Sequence, residues 1–461
     1  MKTSDAQSAS RMGTAPMGPL LFSLAIPMMV SMLFQALYNV VDSIFVSYIS
    51  EAALSAVSLA FPIQNLMIAF AVGTGVGVNA YVSKSLGEGN RAEADRAAAN
   101  GLFLALCTFV VFFVFGLVGV SAFMRSQTDD PAILQYGVDY LSVCCIFSLG
   151  CMIQCMVEKL LSATGRSNYA MITQLVGALT NIVMDPILIF GLFGFPRMEA
   201  AGAAAATVAG QFLGAFTGLY LNLRHNHDIR FRWQDLRPRA RTVGRIYQVG
   251  IPSIAMTSVG SVMTFCMNRI LIGFSSTAVA VFGVYFKMQS FIVMPLIGLN
   301  NGMVPIIAYN YGARKPQRIT QVIRMAVVAA VGIMLLGFAA AQLWPGVLLS
   351  IFNAGPDMLA LGEVALRIIS IHFIIAGFNI VSSAVFQALG RGVMALLVSL
   401  VRQLFVLAPA AWLLSLSGNV NAIWWSFPIA EVSSLVMCSL FLAYCYRTIV
   451  RPMAEKSPAT L

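Results

Sequence analysis

Two aspartates stand where an aspartate is costly. Asp42 closes the stretch Gln35-Ala-Leu-Tyr38-Asn-Val-Val-Asp42, and Asp185 follows Asn181-Ile-Val-Met and precedes Pro186, each inside a long apolar run. A charged side chain within lipid costs at least ~2.5–3.5 kcal/mol, so it needs a partner or a task. Gln35, Tyr38 and Asp42 are spaced i, i+3, i+7 and share one helical face, as do Asn181 and Asp185, four residues apart. Pro186 cannot donate to the carbonyl of Ile182, which leaves a free acceptor close by. Thr207, in Gly202-Ala-Ala-Ala-Ala-Thr207, reaches a similar depth where the chain runs back. Two carboxyls, an amide, a hydroxyl and a carbonyl can exchange a proton or cage a small cation such as sodium. Asp42, Asn181, Asp185 and Thr207 are therefore the candidate ion site.

Other polar residues in apolar surroundings invite different readings. Arg402 and Glu431 both fall about ten residues into successive spans, ~15 Å deep at 1.5 Å per residue. Neither charge is stable there alone, so a structural ion pair is expected. Asp139 and Glu363 lie near span ends, where a charged tip can snorkel to water. Glu158 precedes Lys159 at the inner end of a span, which suggests a rim ion pair or a loop contact. Gln35, Tyr38 and Gln154 are polar enough to line a substrate cavity or to make ordinary hydrogen bonds between helices. The eight cysteines form no CxxC pair and read as small apolar packing residues. His225, His227 and His372 complete no zinc set, and no nucleophile–base constellation points to an enzyme. No metal is expected beyond a sodium ion at the candidate site, and no cofactor beyond the coupling cation.

The elements that hold these residues follow from composition. Of 461 residues, 59% are hydrophobic and 10% charged, and the mean hydropathy is +0.83. Soluble domains carry about 25% charged residues. Lipid offers no hydrogen-bond partners to the backbone, so spanning segments are helices or closed barrels, and long unbroken apolar runs exclude the barrel. At roughly 20 apolar residues per span, the spans fall at 18–46, 53–82, 97–120, 133–157, 168–192 and 200–223. A second set follows at 246–271, 278–308, 320–344, 358–388, 393–415 and 421–446.

An even number of spans puts both termini on one side. With the termini inside, only Arg125 and Arg197 fall in outer loops, while most Lys and Arg fall in inner loops and tails. The net charge of +10 thus records topology rather than nucleic-acid binding. No cleaved signal peptide is expected, and the location expected is the cell inner membrane. Residues 224–245, with seven arginines and Pro238, form a basic linker over anionic headgroups.

A shift of 225 residues superposes the two sets. Ile26-Pro27 falls on Ile251-Pro252, Ala53 on Ala278, Phe61 on Phe286 and Gln64 on Gln289. Gly73, Gly77, Gly87, Pro131, Gly137 and Gly165-Arg166 fall on Gly298, Gly302, Gly312, Pro356, Gly362 and Gly390-Arg391. The halves then enter the membrane in the same direction, and a substrate is expected to bind between them, near the midplane. The division expected is a tail over 1–17, an N-lobe over 18–223, the linker 224–245, a C-lobe over 246–446 and a tail over 447–461. The same shift carries Asp42 onto Met267 and Asp185 onto Ala410, which confines the acidic pair to the N-lobe.

At these residues the chain resembles the multidrug and toxic compound extrusion (MATE) family, its DinF-like and MepA-like bacterial branches most of all. Ile26-Pro27, Asp42-Ser-Ile-Phe-Val, Thr164-Gly-Arg166 and Asn181-x-x-x-Asp185-Pro186-Ile-Leu-Ile-Phe190 carry the likeness, with Gly202-Ala-Ala-Ala-Ala-Thr207 and Gly298-Leu-Asn-Asn-Gly302-Met-Val-Pro305. The resemblance implies an all-α polytopic protein of 12 transmembrane helices in two pseudo-twofold-related lobes. It also implies export of bulky, often cationic drugs in exchange for protons or sodium, with the ion at Asp42 and Asp185 beside Asn181 and Thr207. Family members with acids in spans seven and ten have a counterpart here only in Glu363. The partners expected are drug-like small molecules and the lipid bilayer, with no nucleic acid, and a monomer. The rival reading is a flippase for lipid-linked oligosaccharides or lipids, which should line its cavity with several cations.

Overall fold

The computed structural model describes residues 8–352 and 355–456; the outermost stretches of both predicted tails, 1–7 and 457–461, lie outside the described residues. Among the described residues the regular structure is helical throughout. A short helix, α1 (Ser8–Thr14), precedes α2 (Met17–Ser47), α3 (Glu51–Gly87), α4 (Arg91–Val118) and a connecting α5 (Val120–Gln127). The fourth span is a broken pair, α6 (Pro131–Ile146) and α7 (Leu149–Ala163), bent by 47°. The first half ends with α8 (Ser167–Phe190) and α9 (Glu199–His225).

The second half repeats this plan with α10 (Ala240–Ile272), α11 (Ser276–Gly312), α12 (Pro316–Leu343) and a connecting α13 (Pro345–Ser350). Its tenth span is again interrupted, α14 (Pro356–Ile369) passing through a 3-10 turn at Ser370–His372 into α15 (Phe373–Ala388). Next come α16 (Gly392–Leu400), a π-helical segment Val401–Leu407, α17 (Ala408–Ser415), α18 (Val420–Ile423) and α19 (Ser426–Cys445). Among the described residues, eleven helical stretches are long and apolar enough to cross a membrane, three of them running through the interruptions (Pro356–Ala388, Gly392–Ser415 and Val420–Glu455), and counting the bent pair as one span makes twelve. The chain is a multi-pass membrane protein.

Local chemistry repeats along with the topology. Ser50 and Ser275 each cap the following helix, accepting from Ala53 N and Ala278 N, both at 3.0 Å. The turns before α8 and α16 both use a left-handed glycine, Gly165 at φ +75° and Gly390 at φ +73°, a conformation that costs glycine nothing.

The lobes meet through the repeated glycines. On α3, a Cβ at Gly73 would come 2.9 Å from Ile254 N of α10, and Gly77 and Gly87 press on the carbonyls of Ile246 and Tyr309. Their counterparts on α11 do the same in the other direction: Gly298 and Gly302 press on the backbone of Met29 and Ala25 in α2, and Gly312 on the carbonyl of Lys84. Close backbone approach through small residues is how helices associate where apolar surface gains nothing from leaving lipid. All six contacts lie toward the end of the bundle from which the first helix starts, so the lobes are joined there.

Two segments expected to be tail and linker are docked. Arg318 donates to the carbonyls of Met12 (3.1 Å) and Ala15 (2.7 Å), Lys315 to Gly13 O (2.7 Å), and Asn310 to Met12 O (2.9 Å). Asn100 of α4 donates to Asp235 O at 2.9 Å and accepts from Arg239 N at 3.0 Å, while Asp95 accepts from Arg230 N at 2.8 Å. A buried ion pair, Arg166–Asp228 at 3.3 Å, completes the attachment of the linker to the first half.

Candidate functional site

Helix α2 carries Asp42 past the region where the lobes are joined, and α8 brings Asp185 to it. Their carboxyl groups lie within hydrogen-bonding reach of each other. Pro186 does not end α8, which continues to Phe190 and holds Asp185 fully buried on the face it shares with Asn181. Asn181 is buried too, and its amide donates to Thr207 Oγ1 of α9 at 3.1 Å and to Asp185 Oδ1 at 3.4 Å. All four candidate ion-site residues thus meet in one cluster. Helices α8 and α9 can approach this closely because a Cβ on Gly210 would stand 2.5 Å from Gly177 O.

The donor balance of the cluster decides its chemistry. Asp42 Oδ1, Asp185 Oδ2 and Asn181 Oδ1 are buried and accept no hydrogen bond among the described residues. Both amide protons of Asn181 are committed, and an ionised carboxylate has none to give. Two carboxylates in contact cannot both stay charged away from water. A shared proton satisfies the excess of acceptors, and so does a small cation with oxygen ligands.

Beside the cluster lies a cavity of about 500 Å³ between the lobes. Asn181 and Thr207 belong to its wall as well as to the cluster, and the wall also includes Gln35, Tyr38 and Gln154. Gln35 accepts from the buried Gln174 at 2.7 Å, a partner the sequence alone did not single out. The second half contributes Met256, Asn300, Gln387, Arg402 and Glu431. A volume of this order suits a drug-sized ligand.

Arg402 and Glu431 are brought together, with Arg402 Nη1 3.3 Å from Glu431 Oε2. Glu431 is nearly fully buried and also accepts from Asn379 at 2.7 Å, whereas about a third of the Arg402 side chain faces the cavity. The π-helical segment adds a residue to the turn that carries Arg402.

The expected rim pair of Glu158 with Lys159 does not form among the described residues. Lys159 instead reaches across to the second half and donates to Asn301 Oδ1 at 2.7 Å, and Ser162 donates to Asn301 O at 3.0 Å. Glu158 accepts from Gln154 at 3.0 Å and faces the cavity. Consecutive helical residues point about 100° apart, so adjacency in sequence does not make a pair. Asn301, Asn379 and Gln174 are among the polar residues that sequence reasoning missed. Their only signal is an amide in the middle of an apolar span.

Comparison with known proteins gives this architecture a family. A Staphylococcus haemolyticus protein named multidrug export protein MepA is 25% identical, with 92% of each chain covered. A Shewanella oneidensis protein named FAD transporter is 23% identical, over 97% of this chain and 98% of its own. A solved structure described as the outward-facing conformation of a multidrug resistance MATE family transporter superposes with a TM-score of 0.90. It is 23% identical, and the match covers 99% of this chain and 100% of that one. A transporter structure from Pyrococcus furiosus, also 23% identical, gives 0.89 over 98% and 99%. The sequence model of the MatE family matches twice, over residues 27–187 and 252–413, one match in each half. With those two matches spanning well over half of its length, the chain belongs to the MatE family of membrane transporters.

Proposed function

We propose that this transporter is a secondary active multidrug exporter. It releases bulky, often cationic organic compounds in exchange for protons or sodium ions, and its two lobes alternate access to the cavity. The observation that carries this reading is the shared wall. Asn181 and Thr207 line the cavity and also hold the acceptor-rich Asp42–Asp185 cluster, so a change in one site's occupancy is felt in the other. The name of the staphylococcal relative supports the substrate class. The cavity charges add to it: Arg402 is held by Glu431 and Lys159 by Asn301, while Glu158 accepts from an amide and has no ion-pair partner among the described residues. A flippase cavity with several free cations does not match that arrangement.

With the termini cytoplasmic, as the distribution of Lys and Arg favours, the glycine seam closes the cytoplasmic end and the cavity faces outward. Cysteines placed in the 126–130 loop then react with an impermeant thiol reagent applied outside, and cysteines at 234–238 do not. The reverse pattern overturns the orientation. The exchange itself is tested in everted vesicles with a fluorescent dye, with proton and sodium gradients imposed separately. Dye movement under neither gradient overturns the antiport reading.

A further inference from the structure

A second cavity, of about 180 Å³, opens across the seam between the lobes, near the ends of α3 and α11. Its polar lining is basic: Lys84 comes from α3, Arg245 from α10 and Arg391 from the turn between α15 and α16. Gln248 adds a neutral amide, and no carboxylate lines the cavity among the described residues. The acids nearby are largely committed. Glu88 lies 3.7 Å from Lys84, while Glu93 accepts from Tyr81 and Thr242 and pairs with Arg96. Lys84 also stands over the ring of Tyr311, 4.9 Å from its centroid, which fixes the ammonium at the cavity wall.

The repeat shows what is unusual about Arg391. It occupies the same backbone conformation as Arg166, φ −106° and ψ 45° against φ −107° and ψ 46°, each directly after a left-handed glycine. Arg166 is buried against Asp228 of the linker. The residue 225 positions beyond Asp228 is Met453, and no carboxylate reaches the Arg391 guanidinium among the described residues. Arg245 likewise has no ion-pair partner there. Cations placed on one concave wall focus a positive potential on it.

We propose that this cleft is a binding site for a phosphate-bearing anion. Arg391 and Arg245 supply forked donors matched to phosphate oxygens, Lys84 supplies a point charge, and Gln248 a neutral donor. One wall belongs to the first half and the other to the second, so the bound anion ties the lobes together at the glycine seam. That consequence rests on the alternating-access reading, whereas binding itself does not. The cleft lies at a span end, so the phosphate comes either from an anionic lipid headgroup or from solution.

The test uses the purified full-length chain and two probes. In detergent, inorganic phosphate is titrated against chloride at equal ionic strength while the melting temperature is followed. In nanodiscs, phosphatidylcholine alone is compared with phosphatidylcholine plus phosphatidylglycerol. The proposal expects a saturable stabilisation in at least one arm. The Arg245→Gln/Arg391→Gln double variant should weaken it by about tenfold or more, since both forked contacts are gone, and Arg237→Gln in the linker should leave it intact. A response to phosphate assigns the site to a soluble anion, and a response to phosphatidylglycerol alone assigns it to lipid. Gln248→Glu keeps every cation and places a carboxylate among them, so it should abolish the response even if the double variant folds poorly. Equal stabilisation of wild type, double variant and Gln248→Glu, or none in either arm, overturns the proposal.

Discussion

The two lobes share a backbone plan and differ in what they do with charge. In the first, Asp42 and Asp185 lie together with an amide and a hydroxyl and, among the described residues, no cation. Their counterparts in the second are Met267 and Ala410. The second lobe holds Arg402 against Glu431 instead, and the matching positions of the first are Gly177 and Ala206. A matched pair is neutral as it stands and has nothing to exchange. Two acids without a cation are neutral only when something mobile joins them. The same scaffold therefore carries a fixed charge pair on one side and, on the other, the acceptor-rich cluster proposed to exchange an ion.

The largest expected effect tests that contrast at its mobile end. Asp185→Asn keeps the volume and most hydrogen bonds but removes an exchangeable charge. Gradient-driven dye efflux should fall by about tenfold or more, because a step carried by one charge is lost with it. Insertion and drug binding, measured on the purified protein, should persist. Asp42→Asn should behave alike, and the double variant should be no worse than either, since groups acting as a unit are not additive. Full efflux by correctly inserted Asp42→Asn protein removes the aspartate pair from the mechanism.

The fixed pair makes the opposite prediction. Glu431→Gln leaves Arg402 without its partner, and breaking a fully buried pair costs ~3–5 kcal/mol in soluble proteins. Because a third of the Arg402 side chain faces the cavity, the loss here should be smaller, about 1–3 kcal/mol, once solvent screening is allowed for. Adding Arg402→Gln should restore part of the melting temperature in detergent. Simple addition of the two losses would show that the charges do not stabilise each other.

How much of this was legible in the sequence depends on the kind of signal. The spans, their twofold repeat and the N-lobe acids follow from strong, local costs: apolar length, and a charge where lipid forbids one. The broken fourth span was not legible, because its bend at residues 147–148 carries no proline. The role of the repeated glycines was also hidden. Gly73, Gly77 and Gly87 marked the register of the repeat, but which partner each touches is a property of the assembled lobes. Glu158 was misplaced for a related reason, since its neighbour Lys159 found a better partner 142 residues away.

The glycine seam sharpens the comparison at intermediate scale. Gly87→Ala drives a methyl into the carbonyl of Tyr309, and Gly312→Ala does the same at Lys84. Overpacking of this kind costs typically ~1–3 kcal/mol where the neighbour is backbone and cannot move aside. Both changes should lower the melting temperature by similar amounts, because the seam is built alike from both lobes. Gly332→Ala, with nothing within 4 Å of its new methyl, should be neutral or slightly stabilising.

The smallest effect asks whether the scaffolds are equivalent away from the charges. Ser50 and Ser275 cap α3 and α11 at matching positions with equal 3.0 Å bonds. Replacing a serine cap by alanine costs about 0.5–2 kcal/mol, because one orphan backbone N–H loses its acceptor. Because position, partner and distance match, Ser50→Ala and Ser275→Ala should fall at similar points in that range. Efflux per folded molecule should be unchanged by either. Melting curves of the two variants measured side by side decide the point. If Ser275→Ala were the more damaging, the second lobe would depend more on its caps than the first, and shared geometry would not mean shared energetics.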